Sequence, residues 1–111
     1  KMTIHGTQTI EITEDVSGVT HSVDLKTITC TWFIDPGHEW LRVSLETLED
    51  FGLVPSDFSM FSYTDRENLY LEGDCDAGIF IRAVGESAEL IFKERQCTAK
   101  FNVRNLPNNA T

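Results

Sequence analysis

Three carboxylates and a thiol fall within five residues at Glu72-Gly73-Asp74-Cys75-Asp76, immediately before a stretch with helical periodicity. Oxygen ligands packed this closely suit a hard cation such as Mg²⁺ or Ca²⁺. The same acids suit a structural task, because an N-cap Asp accepts from first-turn amides and the helix dipole favours negative charge there. Spacing separates the two readings. With Asp74 at position one of a calcium loop, position twelve falls on Gly85, where a bidentate Glu is required. Helix capping by Asp74 or Asp76 is the reading adopted, and neither a metal nor another cofactor is expected.

Cys75 lies in that junction, where helix amides lower a thiol pKa and the flanking carboxylates raise it. None of His5, His21 or His38 is near it in sequence, so an activated Cys/His pair is not written in the chain and a quiet thiol is expected. His38, between Gly37 and Glu39, has the side chain of a general base or metal ligand, but no H-E-x-x-H pattern accompanies it. An enzymatic alternative is a small hydrolase or metal-dependent enzyme using His38 with Glu72, Asp74 or Asp76. No residue is assigned a catalytic role.

Between Ser44 and Asp76 lie nine acids, Glu46, Glu49, Asp50, Asp57, Asp65, Glu67, Glu72, Asp74 and Asp76, against the single base Arg66. Aromatic residues Trp40, Phe61, Tyr63 and Tyr70 lie near this acid-rich middle, and aromatics anchor many interfaces. The candidate surface is therefore His38, Trp40, Tyr63, Tyr70, Glu72, Asp74 and Asp76, suited to another protein and, by charge, to a basic one. The plain alternative is a solvated acidic face that keeps the protein soluble. A third possibility is a structural homo-oligomer that pairs through an exposed edge strand.

Whole-chain composition removes other classes. Eighteen Asp and Glu against nine Lys and Arg give a formal charge of -9, which repels nucleic-acid phosphates and anionic lipid headgroups. No apolar run approaches the roughly 20 residues of a membrane span, and residues 1 to 10 lack a signal-peptide core. Cys30, Cys75 and Cys97 are odd in number and contain no C-x-x-C pair, so reduced thiols and a cytoplasmic location are expected.

The elements that must position these residues follow from hydrophobic period. The 111 residues suffice for one domain. Met2, Ile4, Ile10 and Ile12 alternate with threonines, a polar turn follows at 14–18, and Val23 and Leu25 restart the alternation, predicting a hairpin. Parity then switches to Ile28, Cys30, Trp32 and Ile34, predicting a bulge or a strand break near Lys26. Asp35-Pro36-Gly37 closes that run. A short strand from Trp40 to Val43 leads to a helix from Leu45 to Phe51, capped by Ser44 and stopped by Gly52, with Leu53 folding back.

Phe58 to Tyr63 and Leu69 to Leu71 read as a second hairpin. Ala77, Phe80, Ile81 and Val84 follow the i, i+3, i+4, i+7 rule of a helix closed by Gly85. Ala88 to Glu94 and Thr98 to Val103 read as a closing hairpin, and the Pro- and Asn-containing tail from about residue 105 as poorly ordered. The fold class is thus α+β: a mostly antiparallel sheet of about six to seven strands in hairpins, with two short helices packed on one face.

Three segments carry a resemblance. Pro36-Gly37-His38-Glu39-Trp40-Leu41-Arg42-Val43, Phe61-Ser62-Tyr63 and Tyr70-Leu71-Glu72-Gly73-Asp74-Cys75-Asp76-Ala77 resemble the pattern PGHxWL, YSY and YLEEDCDA of a family of small uncharacterised bacterial, phage and plasmid proteins. The resemblance covers the middle of the chain, and Gly73 departs from it where the pattern has an acid. It implies an origin in a bacterium or mobile element and a fold that brings the His38 loop to the acidic junction. It implies no mechanism, and no functional role is carried over.

Overall fold

A computed structural model describes residues 4–13 and 20–109, with side chains from 26 to 109. Strands β1 (Ile4–Thr13), β2 (Thr20–Ile34) and β3 (Glu39–Ser44) lead to helix α1 (Leu45–Asp50); then come β4 (Tyr63–Thr64), β5 (Asn68–Glu72), helix α2 (Asp76–Val84) and β6 (Ala88–Gln96). All six strands join one sheet in the order β1-β2-β3-β5-β4, with β6 also paired to β2. The α+β class holds with two helices, but the six to seven strands expected reduce to five substantial ones, since β4 is a two-residue pairing.

Among the described residues four of the five strand pairings are antiparallel and one is parallel, so the sheet is mixed and is not built from hairpins alone. β6 runs parallel to β2 from Lys26↔Ala88 to Ile34↔Gln96. The reason is α2: a helix lying on the sheet carries the chain back along its length, so the next strand starts in the original direction. The expected closing hairpin is absent. After β6, Cys97 N–H donates to the Ile34 carbonyl at 2.8 Å, Thr98 N–H to the Phe101 carbonyl at 2.8 Å, and Val103–Asn105 forms a 3₁₀ turn instead of a strand.

The parity switch near Lys26 has another origin than a break. β2 is one continuous strand whose first part pairs β1 and whose last part pairs β3 along the same edge, because β6 holds the opposite edge in both regions. The irregularity lies on β1, between Ile4 and Gly6, opposite Ile28 and Thr27. Thr27 and Ile28 are both buried there. The expectations for Met2 and for the turn at 14–18 fall outside the described residues.

Alternation gives the rest of the sheet two covered faces. Ile28, Cys30, Leu41, Val43, Leu69 and Leu71 lie under the helices with Leu48, Ala77, Phe80 and Val84. Ile81 packs at the margin of this cluster. On the reverse face Phe33, Trp40 and Tyr70 are covered by Val103, with Phe101 and Leu106 against them. The tail expected to be poorly ordered supplies part of that cover: Thr64 N–H donates to the Pro107 carbonyl at 2.8 Å, and Asn109 is buried.

Local chemistry explains the helix ends. The Ser44 hydroxyl accepts from Thr47 N–H at 3.0 Å, and Gly52 takes φ +75° while Leu53 N–H returns to the Leu48 carbonyl at 2.9 Å. α2 departs from expectation. Cys75, with no side-chain capping bond, occupies its N-cap, and Asp76 is the first helical residue. The Asp76 side chain is committed elsewhere.

Candidate functional site

β3 and β5 are the scaffold of the site. Their antiparallel register sets Trp40 opposite Glu72 and Arg42 opposite Tyr70. Just beyond the pairing, Gly73 N–H donates to the Glu39 carbonyl at 2.9 Å, and a Cβ on Gly73 would lie 2.7 Å from Glu39 Cγ. The His38 turn is thereby held against the acidic junction. Residues of both, with Asp35 and Pro36, line a small polar cleft of about 240 Å³.

A larger groove of about 480 Å³ opens beside it, lined by His38, Trp40, Tyr63, Glu72 and Asp74 together with Met60, Phe61, Arg104 and Asn108. Five of the seven residues expected to share a surface therefore converge. Tyr70 and Asp76 do not line it. Tyr70 is 2% exposed, and its hydroxyl donates to Asp65 Oδ2 at 2.8 Å. Asp76 is 1% exposed, and its Oδ2 accepts from Ser59 N–H at 2.8 Å, the Ser59 hydroxyl at 2.7 Å and the Ser62 hydroxyl at 2.6 Å. Both sit beneath the surface that they help to shape.

Trp40 is the floor of the groove. His38 stacks on it with ring centroids 6.0 Å apart, Tyr63 meets it edge-on at 5.9 Å, and the Arg104 guanidinium lies 5.1 Å from its ring centre. Trp40 Nε1 is buried and has no hydrogen-bond partner among the described residues. Arg104 also reaches Asp35 Oδ2 at 2.6 Å and His38 Nδ1 at 2.7 Å. A guanidinium only donates, so Nδ1 accepts and the imidazole carries its proton on Nε2. The ring thus bonds to a cation, whereas a histidine acting as general base is oriented by a carboxylate.

Charges around the groove are unequal. Arg104 is compensated by Asp35, whose carboxyl is held below the ordinary range chiefly by that hydrogen bond, with Gly37 and His38 N–H groups adding to it. Glu72 and Asp74 have no ion pair among the described residues. Phe61 is 71% exposed and Met60 56%, at the end of a loop secured by Asp76 below and by Asn109, whose side-chain amide donates to the Pro55 carbonyl at 2.9 Å. An acidic rim beside exposed apolar groups can bind a cationic group with an apolar neighbour.

Metal-ligand geometry is a separate matter. Among the described residues, no group of three or more His, Cys, Asp or Glu side chains is arranged to hold a metal ion. Burial pushes the Cys30 thiol up to about 11, against a smaller opposing effect of Arg42, while Cys75 is exposed. No described helix is long and apolar enough to cross a membrane.

Arg104, Asn108 and Met60 were not among the expected site residues. Arg104 reaches Asp35 across 69 positions, and nothing local marks that contact. The available signal was local: Arg104 is flanked by apolar Val103 and Leu106, three apart, at the start of the tail. No protein-family model, curated protein or solved structure matches the chain.

Proposed function

We propose that this protein is a non-enzymatic accessory protein that binds another protein through the groove floored by Trp40, and that its partner presents a basic segment. The supporting observation is the meeting of two carboxylates without ion pairs among the described residues, Glu72 and Asp74, with exposed Phe61 and Met60 on one rim. An Arg or Lys side chain satisfies the carboxylates, while its alkyl stem or an apolar neighbour covers Phe61. The resemblance to bacterial, phage and plasmid proteins favours a role in a bacterium or mobile element, and the free cysteines favour the cytoplasm.

Affinity capture from a bacterial lysate, using the wild-type chain beside an E72Q/D74N variant and an F61S variant, tests the reading. A basic protein retained by the wild type, lost from both variants and released as salt rises supports it. Identical captured sets for all three chains would sink it. A hydrolytic role for His38 with a carboxylate has less support, since the His38 ring is engaged by Arg104.

A further inference from the structure

β6 is a nine-residue strand paired only on its β2 side among the described residues. Its middle exposes two large apolar side chains, Ile91 at 43% and Phe92 at 42%. Phe92 leans toward Trp32, with ring centroids 6.0 Å apart, extending apolar surface to the open edge. An edge strand of this length with an apolar centre is a template for further strand pairing. Who pairs with it is written in the charge pattern.

We propose that β6 pairs antiparallel with β6 of a second copy, about a two-fold axis through Ile91, to join two sheets into one. In that register Ile91 opposes its own counterpart, and Leu90 opposes Phe92 of the second copy in both directions. Glu89 opposes Lys93, again twice. The pairing of β6 with β2 puts Glu89, Ile91 and Lys93 on one face and Leu90 and Phe92 on the other. Leu90, Ile91 and Phe92 therefore each meet an apolar residue, and Glu89 and Lys93 meet each other, on their own faces, while the small Ala88 stands opposite Glu94. An isologous contact requires this kind of self-complementarity.

Neighbouring registers lose it. Moving the axis to Phe92 opposes Ile91 to Lys93 and Leu90 to Glu94. Moving it to Leu90 opposes Glu89 to Ile91 and leaves Phe92 against Ala88. The charges thus select one alignment and penalise slippage. This contact is independent of the groove, which is built from β3, β5 and the C-terminal segment.

Sedimentation equilibrium of the whole chain tests the assignment, with circular dichroism confirming that each variant folds. The expected result is a concentration-dependent monomer–dimer equilibrium that I91K, setting two ammonium groups face to face, weakens at least about tenfold. E89K and K93E should each weaken it, and the E89K/K93E chain should recover the wild-type association. A monomer at all concentrations up to about 1 mM, a dimer indifferent to I91K, or a double variant no better than the single ones would each overturn the proposal.

Discussion

The Ser62 hydroxyl donates to Asp76 Oδ2 at 2.6 Å, and neither residue is reached by solvent. The same hydroxyl accepts from Glu72 N–H at 2.9 Å, so a buried carboxylate on α2 is connected through one serine to the strand that carries the groove's acidic rim. Ser59 adds two more donors to the same oxygen. Such a carboxylate acts as the fastening of the loop that displays Met60 and Phe61. D76A would leave two hydroxyls and an amide without their acceptor, and the expected loss in denaturant unfolding is on the order of 3 kcal/mol. Hydrogen exchange should also quicken at Ser59 and Phe61, whose N–H groups bond to Asp76 and the Ser59 hydroxyl. Unchanged stability would remove Asp76 from this role.

Phe80 is wholly buried under α2 and meets Phe51 edge-on at a centroid distance of 6.1 Å. F80A opens a cavity between the helix and β5, with an expected loss of about 3 to 5 kcal/mol. A loss below about 1 kcal/mol, the range of surface substitutions, would mean the inward face of α2 is wrongly assigned.

These two residues mark how far the sequence could be read. Phe80 was legible because a helix repeats its inward face every three to four residues, and Ala77, Phe80 and Val84 keep that period. Ser44 and Gly52 were legible because capping chemistry is local. Asp76 was assigned a local capping task, yet its partners lie 14 and 17 residues away and outcompete the first-turn amides. β6 kept its alternation but not its direction, which depends on where α2 delivers the chain. For the site, the register of β3 on β5 gathered residues whose types had been noticed, whereas Arg104 depended on the path of an irregular segment.

Asp35 and Arg104 supply a pH dependence. The Asp35 carboxyl is depressed below its ordinary 3.8, chiefly by the Arg104 hydrogen bond, with burial opposing and the Gly37 and His38 amides assisting. A depressed carboxyl stabilises the fold above the unfolded-state value, and that contribution disappears as pH falls through the folded-state value. Contact between the 97–109 segment and the His38 turn should therefore loosen in acid, below about pH 4. Carboxyl-carbon NMR titration reads the Asp35 midpoint directly. R104M should return it toward 3.8 and shift the His38 ring resonances; a midpoint unmoved by R104M would refute the linkage.

At the alkaline end, Tyr70 and Cys30 act together. Burial, reinforced by the hydrogen bond to Asp65, pushes the Tyr70 hydroxyl up to about 12 from 10.0, and burial pushes the Cys30 thiol up to about 11 from 9.0. For an acid whose pKa is raised on folding, the native state holds its proton while the unfolded chain releases it. Stability conferred this way is intact below the unfolded value and is lost as pH rises through the folded one. Unfolding midpoints should therefore decline from about pH 9 and fall further between 10 and 12. Y70F removes the later part of that decline and the donor to Asp65, at a cost near neutral pH of about 1.5 to 3 kcal/mol. C30A removes the earlier part, at its own packing cost. An alkaline limb equally steep in wild type and Y70F would show that Tyr70 titrates as an ordinary phenol and that its bond to Asp65 does not persist in solution.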